Sequence, residues 1–245
     1  MDSALGVLVG LVFLAAGAVK GVSGMGLPTF SMALLGLFMP PAAAATLMVL
    51  PSLATNVSQC IGPHAKSLAR RLWPMWLGLV AATIFSPLAG LGTAGNAARL
   101  LLGSVLVAYG LWGLMKPALP DLRAYPALAG GTAGVLTGAL AAATGVFVMP
   151  LVPYLQSIRL GKDEMIQALG LTFMIATAAL VIRLGRTGIA LGSLDLADLA
   201  IALGAAFLGL FLGATLRNRL EPVLFQRALF TVFVLLGALM VARAG

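Results

Sequence analysis

Between two long apolar runs the chain reads Gly17-Ala-Val-Lys20-Gly21-Val-Ser23-Gly24-Met-Gly26-Leu-Pro28. A glycine inside a helix costs about 1 kcal/mol relative to alanine, and positions 21, 24 and 26 are all glycine. Pro28 suits the first turn of a new helix, where a missing N–H loses nothing. The stretch therefore predicts a helix over 5–19, an unwound segment over 21–27 and a short helix over 28–38. Backbone interrupted at membrane depth persists only where protein or a watery cavity satisfies its polar groups. That makes the interruption a candidate binding site.

The surroundings are membrane interior. Of 245 residues 61% are hydrophobic and only 9% charged, against roughly 25% charged in soluble domains, so the fold class is an all-α polytopic membrane protein. One cysteine, Cys60, and one histidine, His64, exclude an internal disulfide and leave no cysteine- or histidine-built metal site; no cofactor is expected. The net charge of +8 sits in short segments between apolar runs. It therefore reads as membrane orientation, not as nucleic-acid binding. Lys20 and the glycines follow the first apolar run with no processing site ahead of a soluble domain, which argues against a cleaved signal peptide.

Spans of about 20 residues are expected over 42–61, 72–91, 100–115, 125–143, 165–182, 195–216 and 222–241, with a second break at Thr144-Gly145 and a half-length helix over 146–156. Charged loops are expected over 64–71, 116–123 and 159–164. The two halves resemble each other. Gly17-x3-Gly21 recurs as Gly134-x3-Gly138, an offset of 117, and Pro40-Pro41 falls against Gly161-Lys162, an offset of 121. Each half reads as long helix, break, short helix, turn and three spans. Residues 1–116 form the first repeat, 117–123 the connection and 124–245 the second, giving about eight membrane segments in one integral domain. Interrupted segments at matching positions of two halves mark a secondary transporter and point to the breaks as its site.

A helix of 11 residues spans about 17 Å, too short for a ~30 Å core, so 5–38 is expected to be a re-entrant hairpin. Three spans then follow, which makes the repeats inverted. Placing 64–71, 116–123, 159–164 and 217–227 in the cytoplasm puts ten of the fifteen Lys/Arg there. Arg99, Arg183, Arg186 and Arg243 then lie outside, with Lys20 in the membrane; a same-orientation repeat stays open.

All seven acids lie in loops or at helix ends. Cation carriers keep an intramembrane carboxylate, so an anion is the better cargo. Burying Lys20 costs about 2.5–3.5 kcal/mol, which a bound anion offsets; snorkelling to the far surface is the competing reading. A helix starting mid-membrane adds free N–H groups and a favourable dipole. Ser23 is placed to cap a helix beginning near Pro28, and Thr144 one beginning near Val146. Ser52, Asn56 and Gln59 share a helix face, with Gln167, Thr172 and Thr177 as weaker counterparts. The candidate substrate-binding set is Lys20, Ser23, Gly24, Gly26, Ser52, Asn56, Thr144, Gly145, Gln167 and Thr177. Interhelical hydrogen bonding is the plain alternative for the polar members.

These residues resemble a known family. Gly17-x-x-Lys20-Gly21-Val-Ser-Gly24-Met-Gly26-Leu-Pro28-Thr, Pro40-Pro41 and Leu50-Pro51-Ser52-Leu-x-x-Asn56 are similar to the TauE/SafE-type sulfite exporters, and the second Gly-x3-Gly, its break and Pro150 extend the likeness over nearly the whole chain. Ala141-Ala-Ala-Thr144-Gly145 replaces a richer glycine run. The resemblance implies a multi-pass protein of the bacterial inner membrane with about eight segments that moves sulfite, sulfonates or related sulfur-containing anions.

The expected function is export of a small anion by alternating access, with the bilayer and the anion as partners and no nucleic acid; a homodimer is left open. The enzymatic alternative is an intramembrane serine hydrolase. Gly21-Val-Ser23-Gly24 matches the Gly-x-Ser-Gly of rhomboid-type proteases, but such a serine needs a histidine base and only His64 is available. A non-transporting scaffold is the third reading; it predicts no central cavity.

Overall fold

The computed structural model describes residues 3–88, 91, 96–188, 195–217 and 219–244. All the regular structure in them is helical: α1 Ser3–Ser23, α2 Leu27–Phe38, α3 Pro41–Cys60, α4 Ala65–Phe85, α5 Asn96–Met115, α6 Pro126–Thr144, α7 Leu151–Ser157, α8 Lys162–Arg186, α9 Leu196–Leu216 and α10 Pro222–Ala244. Six of these helices (α1, α5, α6, α8, α9 and α10) are long and apolar enough to cross a membrane. Helices α3 and α4 have 20 and 21 residues, about 30 Å of rise, but polar and basic residues lower their hydropathy. Prolines open α3, α6 and α10, where their lack of an N–H loses nothing. Asp195 caps α9 by accepting the Ala197 N–H at 3.0 Å. Leu208, Phe211 and Leu235 point outward from α9 and α10, the surface a bilayer covers.

Several boundaries differ from expectation. Helix α1 continues through Lys20 and Gly21 to Ser23, so the first break is only residues 24–26. Gly21 stays helical because it serves close packing, not a turn: a Cβ there would strike the backbone of α9. Helix α4 starts at Ala65, making most of the expected loop 64–71 helical, and ends at Phe85; the expected turn 92–96 lies largely outside the described residues. Helix α8 takes up Lys162–Glu164, since Glu164 accepts the Gly161 N–H at 3.0 Å in its first turn. Helix α7 has 7 residues and starts at Leu151, five later than expected.

The glycine pairs set the packing. A Cβ on Gly17 would meet the Ala206 carbonyl and the Leu210 N, and one on Gly21 the Leu210 carbonyl and the Ala214 N. Gly134 stands in the same way against the Met75 carbonyl and Leu79 N, and Gly138 against the Leu79 carbonyl and Thr83 N. Small residues let backbones approach this closely in membranes. So α1 lies along α9 and α6 along α4, each pair parallel. Helices α3 and α8 run antiparallel, with Ser52 beside Thr177 and Gly62 beside Gln167. Helices α5 and α10 are antiparallel too, Gly103 meeting Gly237 and Gly110 meeting Phe230.

Contacts between connections identify the two ends of the bundle. Arg71 donates to the Ile158 carbonyl at 2.6 Å, Leu122 N to the Ser157 carbonyl at 3.2 Å, and His64 N to Gln167 at 3.0 Å. The segments around 61–71, 121–123 and 158–167 therefore meet at one end of the bundle. At the other end Arg183 donates to the Ser86 carbonyl at 2.7 Å, and Arg186 lies over the Phe85 ring.

Candidate functional site

Two glycines make the first break. Gly24 has φ +77° and Gly26 φ +106°, left-handed backbone that a Cβ penalises. Gly24 donates to the Lys20 carbonyl at 2.7 Å, and its own carbonyl accepts Gln59 Nε2 from α3 at 2.7 Å. Ser23 Oγ lies 2.7 Å from the Val19 carbonyl and 2.6 Å from that of Met25, and accepts the Met25 N–H at 3.3 Å. Contrary to expectation, Ser23 does not cap α2; the N-cap is Gly26, with no side-chain hydrogen bond. The first intrahelical backbone bond runs from Phe30 N to Gly26 O. The N–H groups of Leu27 and Thr29 are thus left free, as at any uncapped helix start.

Gly26, Thr29 and Ser23 line a cavity of about 300 Å³. Across it stand aromatic side chains of α5 and α10, with Val148 from the second break and Val152 from α7. Tyr109 stacks on Trp112, with centroids 6.0 Å apart at 12°, and meets Phe230 edge-on at 5.3 Å. Lys116, Gln156 and Gln226, all exposed, form the rim. They stand at the end of the bundle where the connections carrying Arg71, Arg123 and Arg159 meet. Arg123 there donates to both carboxylate oxygens of Asp121 and holds the Asp121 pKa down to about 2.

Lys20 lies one turn before the break and is 2% exposed. Its Nζ donates to Thr55 Oγ1 at 3.1 Å and to Asn56 Oδ1. Asn56 Nδ2 donates to Ser52 Oγ at 3.4 Å, and Ser52 pairs with Thr177 at 3.2 Å. A buried polar chain thus crosses from α1 through α3 to α8. Among the described residues no carboxylate pairs with Lys20, and one of the three donors of its ammonium group is left over. The cluster adjoins the break without lining the cavity.

The second break is built differently. Thr144 Oγ1 donates to the Leu140 carbonyl at 2.7 Å and accepts the Val146 N–H at 3.2 Å. The expected helix near Val146 is absent, so Thr144 closes α6 instead of capping a helix. Gly145, at φ +72°, faces Met32, and Val146, Phe147 and Val148 are buried. Gln167 pins α8 to the end of α3: it accepts His64 N and donates to the Cys60 carbonyl at 3.1 Å. Of the candidate set, then, Ser23 and Gly26 reach the cavity and Gly24 shapes the turn beside it. Lys20, Ser52, Asn56 and Thr177 form one cluster, while Thr144, Gly145 and Gln167 lie elsewhere. Sequence reasoning missed Thr29, although it stands in the quoted motif. It also missed Tyr109, whose i, i+3 spacing with Trp112 reads as ordinary membrane core.

The arrangement brings an uncapped helix start, donor hydroxyls and a buried ammonium to one cavity and its immediate surroundings, with no carboxylate on the wall: it can hold an anion. The family model described as Sulfite exporter TauE/SafE matches residues 9–240, and no curated protein and no solved structure matches the chain. The chain belongs to the TauE/SafE family of sulfite exporters.

Proposed function

We propose that this TauE/SafE-family protein exports a small sulfur-containing anion, sulfite or an organosulfonate, out of the cytoplasm across the inner membrane by alternating access. The observation that carries the reading is the free start of α2, a helix of 12 residues, facing a cavity that opens toward the basic end of the bundle. Unpaired N–H groups and the helix dipole favour negative charge there. An inside-negative potential drives each negative charge outward by about 2.3 kcal/mol per 100 mV, so no coupling ion is required.

The halves 1–116 and 124–245 act as inverted repeats in this reading. Exchanging α1–α5 for α6–α10 turns the α1–α9 pairing into α6–α4 and returns α3–α8 and α5–α10 to themselves. The self-paired helices are antiparallel, as an axis in the membrane plane requires. Lys20 and Asn56 supply the charge and its orientation, Ser52 and Thr177 brace Asn56, and Gly24, Gly26 and Ser23 hold the turn. Thr144, Gly145 and Gln167 support the second half without touching the anion.

Thermal unfolding of the purified protein with sulfite, sulfoacetate, thiosulfate, sulfate and carboxylates tests the reading, because a ligand of the folded state alone must stabilise it. Protection by a sulfur oxyanion, and its efflux from loaded proteoliposomes, is expected. Absence of both for the whole panel refutes the reading.

A further inference from the structure

Two hydroxyls on the cavity wall have no strong protein partner. Thr29 is 1% exposed and lines the cavity, and its Oγ1 makes no hydrogen bond to another of the described residues. A threonine in a helix ordinarily returns its hydroxyl to a carbonyl one turn back, as Ser31, Thr55 and Thr177 all do here. Tyr109 is 3% exposed, and the nearest partner of its phenol is the Met25 sulfur at 3.9 Å. A thioether is a weak acceptor, and buried tyrosine hydroxyls usually find a strong one. The Tyr109 ring is fixed by Trp112 and by Phe230, so its hydroxyl is held in place before any ligand arrives.

Both hydroxyls belong to one small volume. Met25, which the phenol touches, is the residue between the two left-handed glycines. Thr29 is four residues on, and its own N–H makes no backbone hydrogen bond among the described residues. Both hydroxyls stand on the wall of one cavity without a strong protein acceptor, so each is free to donate to an acceptor that enters it.

We propose that Thr29 and Tyr109 are ligands of the transported anion, their hydroxyls joining the Thr29 amide around one oxyanion head group. The inference rests on the anion-export reading and assigns its specificity. Donors from two helices, α2 and α5, suit a head group whose three oxygens point in different directions. A planar carboxylate presents its lone pairs in one plane, so donors converging from two helices meet it less well than they meet three pyramidally disposed oxygens. Selection of sulfonate over carboxylate therefore lies with this hydroxyl pair, because a site built to donate to an oxygen rejects a ligand lacking it.

The test is thermal unfolding of the full chain in nanodiscs with sulfite, methanesulfonate and acetate, for the parent, Thr29→Val, Thr29→Ser and Tyr109→Phe. Each loss of a hydrogen bond to a charged group is expected to raise the half-protecting sulfonate concentration about tenfold. The acetate response should change little, and Thr29→Ser should restore the parent value. Without anion, both Thr29→Val and Tyr109→Phe should unfold at or above the parent temperature, since each removes an unpartnered donor; a purely structural role predicts a lower temperature. Sulfonate protection unchanged in Thr29→Val and Tyr109→Phe overturns the inference while leaving export standing. No protection of the parent by sulfite or methanesulfonate overturns this inference, and if efflux from proteoliposomes is absent as well the export reading falls with it. Thr29→Val alone decides if Tyr109→Phe does not fold.

Discussion

The two breaks come from matching places in the chain and do different work. At the first, two left-handed glycines leave α2 uncapped, and the position one turn earlier is Lys20. At the second there is one left-handed glycine, the amide after it is taken by Thr144, and three buried apolar residues follow. The counterpart of Lys20, 117 positions on, is Thr137, buried with an unpartnered hydroxyl. Helix α7, at 7 residues, offers little dipole. The same packing scaffold thus holds a polar break in one half and an apolar one in the other. Equivalent helix packing leaves the chemistry of each break to its local composition.

The largest asymmetry should appear in the glycines themselves. Gly26 has φ +106° and its Cβ would stand 3.1 Å from Val19 Cγ1, so Gly26→Ala should cost about 1–3 kcal/mol of stability and abolish efflux from proteoliposomes. Gly145 has φ +72°, a conformation asparagine tolerates, and the atom its Cβ would approach is the flexible end of Met32 at 3.0 Å. Gly145→Asn should keep most of the efflux. Equal loss in the two variants would mean that both breaks bind.

Next comes the charge. Lys20→Met keeps the length of the side chain and removes the ammonium that Thr55 and Asn56 hold; efflux should fall at least tenfold, in line with an effect of about 1.4 kcal/mol or more. Thr137→Val at the matching position removes a hydroxyl with no partner and should leave efflux unchanged and the unfolding temperature equal or higher. If Thr137→Val impaired efflux as Lys20→Met does, the second half would hold a polar site of its own.

How much of this was readable in advance follows from how far each signal reaches along the chain. The Gly-x3-Gly pairs, the broken segments and the order of helices were legible because spacing within one segment carries them. The exact break was not. Gly21 and Gly24 look alike as letters, yet one meets the Leu210 carbonyl and the other turns the chain. The start of α4 was hidden because Lys66, Arg70 and Arg71 look like a loop, while a helix can carry basic residues past the membrane edge. The cavity wall was illegible for a different reason. Tyr109 and Phe230 are 121 positions apart, and only the antiparallel packing of α5 and α10 brings them together.

A smaller effect should separate fold from function at the second break. Thr144→Val removes the hydroxyl that bonds the Leu140 carbonyl and the Val146 N–H. The loss should be about 1–2 kcal/mol, read as a lower unfolding temperature, with the efflux rate per folded molecule unchanged. A drop in that rate would mean that this break moves during transport.

The smallest effect belongs to the connection between the halves, and its sign can be worked out. Leu122 N bonds the Ser157 carbonyl at the end of α7, so the connection is tied to the apolar break. Beside it Asp121 is fully exposed, its pKa held near 2 by Arg123, below the ordinary carboxylate value of about 3.9. A carboxylate with a lowered folded-state pKa stabilises above its unfolded value and loses that contribution as pH falls through the folded one. Asp121→Asn should therefore lower the unfolding temperature slightly and by the same amount from pH 5 to pH 8. The difference from the parent should shrink from about pH 4 down to pH 2. Exposure and salt keep such a pair weak, so high ionic strength should nearly erase it. Efflux between pH 5 and 8 should match the parent throughout, because the pair does not titrate there and the break it adjoins is read as a fixed wall. Slowed efflux in Asp121→Asn at unchanged stability would instead show the connection moving with α7, and the apolar half would have to be counted as a moving part.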